Sequence, residues 1–209
     1  MQTFLHVGCG QKRKDQTTSG FAKENWKELR FDINESVEPD YVGTMTDMSA
    51  VETSSMDALY SSHNIEHVYA HEVPKALAEF KRVLRPDGFV IITCPDIQAI
   101  CALVAEGKLT EQAYSSPAGP ITPHDILYGH GASIAEGDLF MAHRCGFTQE
   151  VLTKTLEVSG FVSMGTAKRA GPCFDLWAVA CPVKTSEESL RELAKDHFPF
   201  SGSPGESAC

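Results

Sequence analysis

No apolar run in this chain approaches the ~20 residues that cross a membrane, so no membrane insertion is expected. The N-terminus has no basic stretch leading into an apolar segment, and a secretory signal is not expected either. The seven cysteines contain no C-x-x-C and no paired spacing. Several fall in apolar strand contexts, which predicts reduced, buried thiols in a cytoplasmic protein. Basic residues are few: 18 Lys and Arg against 28 Asp and Glu give a net charge of −10, which repels polyanions and makes nucleic acid a poor partner. The cluster Lys12-Arg13-Lys14 is the local exception and reads as a solvated loop. The histidines show no H-E-x-x-H or comparable spacing, so no metal site is expected.

Two nucleotide signatures are also missing. The run Phe4-Leu5-His6-Val7-Gly8-Cys9-Gly10 reads as a buried strand breaking into a glycine turn. The third glycine of a dinucleotide fingerprint is replaced by Arg13, and no G-K-[ST] phosphate loop is present. A second strand, Glu28 to Ile33, alternates Leu29, Phe31 and Ile33 and carries Asp32 near its end. A carboxylate there accepts hydrogen bonds from both hydroxyls of a ribose, at about the ~20-residue spacing of a second strand. A ribose without a pyrophosphate points to S-adenosylmethionine.

Strand and helix patterns alternate along the chain, which predicts an α/β fold with a mostly parallel sheet. Further strands are expected near 41–44, 56–62, 89–94, 161–168 and 174–181, the last as an antiparallel partner of the one before. Residues 71–84 are amphipathic through Val73, Leu77, Phe80 and Leu84. A helix is expected at 96–106, then an irregular substrate cover over 107–146 containing His124, His130 and His143. Thr148 should cap a helix running to Ser159, and Thr185 with Glu188 forms a capping box for a charged helix over 185–197. Residues 198–209 read as a disordered tail after a domain spanning 1–184.

Taken in order, Leu5-His6-Val7-Gly8-Cys9-Gly10, Phe31-Asp32-Ile33-Asn34, the run Met56 to Val68, Phe80 to Gly88 and Ile91 to Asp96 resemble a class I S-adenosylmethionine-dependent methyltransferase of the small type 11-like group. His143 to Thr148 and Ser159-Gly160-Phe161 extend the resemblance. It implies a Rossmann-like, seven-stranded, mostly parallel sheet with helices on both faces and an antiparallel last strand. Residues 11–27 lack an apolar stripe, so the family's first helix is expected to be a loop. The resemblance assigns cofactor contacts to Val7, Gly8, Cys9, Gly10, Asp32, Ile33, Asp47, Met48, Ser62 and His63. Asp47 would bind the adenine amino group, while Met48 either packs on the adenine face or belongs to the core. His6 stands where larger members carry an acidic residue for the methionine amino group.

His63 lies after the fourth strand, whose end faces the transferred methyl in the matched fold. It is the candidate general base, with His143 as a second catalytic candidate and His67 read as structural. The Asp/Asn-Pro-Pro-aromatic motif of nucleobase amino methylation is missing, and Cys94 lacks the partner motif of cytosine C5 methylation. The implied function is methyl transfer to an oxygen or nitrogen of a small or medium-sized polar acceptor; the alternative is a cofactor-binding protein without turnover.

Overall fold

The structure is a computed structural model and describes residues 1–169 and 171–199. Its centre is a seven-stranded sheet in the order β3-β2-β1-β4-β5-β9-β8, formed by β1 (Gln2–Val7), β2 (Trp26–Asp32), β3 (Tyr41–Val42), β4 (Met56–Ser62), β5 (Leu84–Pro95), β8 (Ser163–Arg169) and β9 (Asp175–Cys181). The first five in this order are parallel to one another, while β9 lies between β5 and β8 and is antiparallel to both. The strand order reverses between β1 and β4, which opens a crevice at their carboxyl ends.

Alternation along the strands feeds two separate cores. Leu5, Leu59, Val90, Ile92, Leu176 and Ala178 face one side. There they meet α2 (Val73–Val83), through Ala76, Leu77 and Phe80, and α6 (Gln149–Val158), through Leu152 and Leu156. Phe4, Tyr60, Phe89, Ile91, Trp177 and Val179 face the other side. That side is covered by Phe21, on the four-residue helix α1 (Ser19–Ala22), and by Leu190, Leu193 and Ala194 of α7 (Glu187–His197).

The segment expected to be a loop therefore holds only a short 3-10 turn, 14–16, and α1, yet it delivers a fully buried Phe21. Thr18 caps α1 and its hydroxyl meets His197 Nδ1 at 2.7 Å. Gly20 lets α7 approach: a Cβ there would stand 2.5 Å from the His197 ring.

Four expectations are corrected. The cover is not irregular throughout: after α3 (Ile97–Ala105) come the hairpin β6 (Tyr114–Ser116) and β7 (Gly119–Ile121), α4 (Pro123–Tyr128), α5 (Gly131–Ala135) and a 3-10 turn at 139–141. The hairpin and α4 pack on α3 through a small core of Ile100, Ile121 and Ile126. The cap of α7 is Ser186, whose side chain accepts from the Ser189 amide, and not Thr185, whose hydroxyl bonds the Val183 carbonyl. Phe198, placed in the expected tail, is buried and packs against Trp177; positions 200–209 lie outside the described residues. The thiols of Cys9, Cys94, Cys101, Cys145 and Cys181 are free, though Cys101 is exposed, and Cys173 departs from the expectation of reduced thiols because it is disulfide-bonded.

Candidate active site

The turn after β1 shapes the crevice. Gly8 and Gly10 adopt φ of 67° and 50°, in the left-handed region that side chains disfavour. A Cβ on Gly8 would also stand 2.4 Å from the Asn64 side chain, so this turn and the one after β4 close on each other only with glycine here. Arg30, buried on β2, donates to the Gly10 carbonyl and to the carbonyls of Val37 and Glu38 at 3.0 and 2.9 Å. One guanidinium thus ties together the loops that leave β1 and β2.

A cavity of about 310 Å³ lies over these loops and is lined by Val7, Gly8, Gly10, Asp32 and Ile33, with His63 and Asn64 at its far side. Asp32 accepts the Gly10 amide at 2.8 Å and the Asn34 amide at 2.9 Å. A carboxylate offers about four lone-pair positions, so each oxygen keeps one for a ligand hydroxyl.

Five predicted cofactor residues thus reach the cavity together with His63, and four do not. Cys9 turns inward, and burial pushes its thiol up to about 11, which keeps it protonated and inert. Met48 is fully buried in the core under α2. Asp47 is exposed and folds back on Ser49, whose amide it accepts at 3.2 Å; the Ser49 hydroxyl first, and then this amide, hold its carboxyl below the ordinary range. The loop after β3 instead presents Gly43, Thr44 and Met45 to the cavity, three to four positions earlier than expected. Only the short length of β3, two residues, could have signalled that shift. Ser62 bonds Thr93 at 2.8 Å and lines a different cavity. His6, on the opposite face of β1, meets Glu28 at 2.7 Å and is absent from both linings.

His63 lines both cavities. The second, of about 410 Å³, lies between the 12–19 segment and the ends of β4, β5, β8 and β9, with Ser62, Thr93, Arg169, Asp175 and Trp177 in its wall. His63 holds φ of 48°, and its amide donates to Thr93 at 3.0 Å. A non-glycine residue in this conformation is strained, and surrounding contacts hold it there. Its Nδ1 stands 3.7 Å from Glu66 and its Nε2 3.8 Å from Asp175, both carboxyls being buried. Burial alone would raise the Asp175 carboxyl, but its contacts with His63 and the two-bond grip of Arg169, at 3.0 and 2.6 Å, outweigh this and hold it below the usual range.

Sequence reasoning undervalued the cover. Asp138, Phe140, Met141 and Arg144 line the first cavity, and Arg144 stacks on Tyr69 with 4.9 Å to the ring centre. His67, read as structural, lines it too. His143 lies behind His67, with ring centres 4.8 Å apart, and lines neither cavity; His124 is exposed on α4.

No curated protein sequence matches the chain. Solved structures with the same fold include a methyltransferase from Thermotoga maritima described as a possible histamine N-methyltransferase, with 13% identity, TM-score 0.57, and coverage of 88% of this chain and 83% of that one. A SAM-dependent methyltransferase from Archaeoglobus fulgidus shares 14% identity at TM-score 0.55, over 86% of each chain. The 1,6-didemethyltoxoflavin-N1-methyltransferase of Burkholderia thailandensis, solved with 1,6-didemethyltoxoflavin and S-adenosylhomocysteine, shares 15% identity at TM-score 0.54, over 87% of this chain and 71% of that one. Residues 5–92, which run from β1 through β4 into β5 and carry the glycine turn, Asp32 and His63, match the methyltransferase-domain family of type 11, and this match together with the fold supports a class I SAM-dependent methyltransferase that uses S-adenosylmethionine as its cofactor.

Proposed function

We propose that this enzyme transfers a methyl group to an oxygen or nitrogen of a small or medium-sized polar acceptor, and that the acceptor meets the cofactor at His63. The observation that carries this reading is the shared wall: one residue, His63, borders both a cavity with Asp32 at its far end and a second, polar cavity. Asp32 would hold the ribose hydroxyls through its two remaining lone pairs, and the Gly8–Gly10 turn lets the backbone approach the methionine portion. Thr44 and Met45, in place of Asp47 and Met48, border the adenine end. When bound, the cofactor supplies a methyl group on a sulfonium, an excellent leaving group, so the protein's task is chiefly alignment. His63 can take a proton from an acceptor hydroxyl, with the Asp175 carboxyl 3.8 Å from its Nε2 in the wall of the second cavity. A small polar acceptor fits a cavity walled by Ser62, Thr93 and the Arg169–Asp175 pair.

A matched pair of variants tests this. Asp32→Ala should weaken S-adenosylhomocysteine in calorimetry by tens to hundreds of fold, about 2–4 kcal/mol for a lost charge-assisted two-bond contact. His63→Asn should leave that affinity within a few fold and lower turnover on a panel of hydroxyl acceptors about a hundredfold. Asparagine suits the position because it tolerates the left-handed backbone that His63 adopts. Affinity within twofold of the parent for Asp32→Ala would sink the ribose assignment. Unchanged turnover for His63→Asn would remove the base.

A further inference from the structure

Behind the His63 wall lies a group the transfer reaction does not use. Glu66 is 1% exposed, and among the described residues neither of its carboxylate oxygens has a hydrogen-bond partner. A buried carboxyl that accepts no hydrogen bond is costly, and native structures rarely carry one without a reason. Two imidazoles face it. His67 and His143 each place a ligating nitrogen where it and a Glu66 oxygen lie within 4.8 Å of one another.

Both rings are already set for a metal. His67 Nδ1 lies 3.2 Å from the Ala142 carbonyl and His143 Nδ1 lies 2.8 Å from the Ile126 carbonyl. A carbonyl only accepts, so each Nδ1 carries the proton and each Nε2 keeps its lone pair. This is the outer-shell arrangement that orients histidine ligands. The neighbouring Cys145 is engaged elsewhere: its Sγ points to the carbonyls of Ile65 and Glu66, at 3.6 and 3.8 Å.

We propose that Glu66, His67 and His143 bind one divalent transition-metal ion, with Zn2+ the best match to a carboxylate and two imidazoles. Tetrahedral ligands at 2.0–2.1 Å from zinc stand about 3.4 Å apart, so small side-chain rotations close the present spacing. Three protein ligands leave a fourth position open. His67 lines the first cavity, and His63 Nδ1 stands 3.7 Å from Glu66, so the open position faces the place where cofactor and acceptor meet. If the methyl-transfer reading holds, an acceptor hydroxyl bound there would lose its proton more easily, and the acceptor class would be one with an oxygen able to ligate a metal. The spacing is invisible in sequence because His143 comes 76 residues after His67 and 77 after Glu66, at the far end of the cover.

The test is metal retention, read independently of methyl transfer. The full chain is stripped with chelator, incubated with Zn2+ or Co2+, desalted and measured by mass spectrometry of the metal; Co2+ also reports ligation by visible absorption. The parent should retain about one equivalent of either metal. Glu66→Gln and His143→Ala should each weaken retention at least a hundredfold, beyond the 10- to 100-fold typical of losing an outer-shell partner. His71→Ala, a surface control, should retain the parent's equivalent. S-adenosylhomocysteine calorimetry on the same variants shows whether the fold survives and whether the cofactor reading stands by itself. No retention by the parent overturns the proposal, as does retention that Glu66→Gln and His143→Ala leave unchanged in protein that still binds S-adenosylhomocysteine.

Discussion

The two faces of the sheet are closed by different means. One is covered by α2 and α6, two helices of 11 and 10 residues whose apolar stripes lie on the sheet. The other is covered by a one-turn helix from the start of the chain and by α7 from near its end, joined through Thr18 and His197 across 179 positions. The first face is built from local periodicity. The second depends on a long-range contact, and the same contact shapes the second cavity, whose wall includes Thr18, His197 and Phe198. Packing rather than helix length decides whether a face is a core, and this face is as densely aromatic as any part of the molecule. Phe21 stacks on Phe4 with centres 4.2 Å apart and meets Trp26 edge-on at 5.1 Å.

The largest effect that can break this comparison is on Phe21. If the short segment is true core, Phe21→Ala should cost about 3–5 kcal/mol, as much as Phe80→Ala on α2, since both rings are fully buried. Urea unfolding of the two variants is the measurement. A Phe21 cost of less than half that of Phe80 would show that the segment merely drapes over the sheet.

A smaller effect separates the faces by pH. Burial pushes the His197 imidazole down to about 4, against an ordinary 6.5, with Asp196 opposing and Lys23 assisting. The unfolded chain therefore binds a proton that the folded chain refuses. This cost is absent above pH 6.5, and stability falls as pH drops from there toward 4. Between pH 7 and pH 5 the loss should be about 2 kcal/mol. His197→Gln should flatten that part of the profile relative to the parent, whereas Phe80→Ala should shift the whole profile without changing its slope. Parallel curves for parent and His197→Gln would show that His197 does not titrate as its burial requires.

The first face was legible because its signals are local. Val73, Leu77 and Phe80 at helical spacing gave α2, and Thr148 gave the cap of α6. Asp32 and the Gly8–Gly10 turn were legible for the same reason: a strand pattern fixes where each residue emerges. What stayed hidden depends on residues far apart in sequence. Phe21 lies in a stretch that reads as a loop, and nothing near it in sequence points to its partner His197. The partnership of His67 and His143 was equally invisible. At Asp47 and Met48 the failure was local but geometric. The two-residue β3 releases the chain early, so the loop that reaches the cavity is Gly43 to Met45.

The smallest effect sharpens the comparison at its edge, in how each face's covering helix starts. α6 begins at Thr148, whose hydroxyl accepts the Val151 amide at 3.3 Å; α7 begins at Ser186, whose hydroxyl accepts the Ser189 amide at 3.1 Å. Each satisfies one orphan donor, so Thr148→Ala and Ser186→Ala should each cost about 1 kcal/mol. Thr185→Ala, next to the true cap, should stay within about 0.5 kcal/mol, since its hydroxyl bonds the Val183 carbonyl and the Cys181 thiol, both outside the helix. The contrast also reports on how the second face holds together. α7 is strongly charged and packs through Leu190, Leu193 and Ala194, so a frayed first turn should loosen Leu190 before it reaches His197. Hydrogen exchange on Ser186→Ala should therefore speed up at residues 187–190 and leave the amides around Phe21 protected. If exchange also rises at Phe21, the terminal helix and the one-turn helix open as one unit. The second face would then be a single cooperative latch on the cavity below it, unlike the face built by α2 and α6.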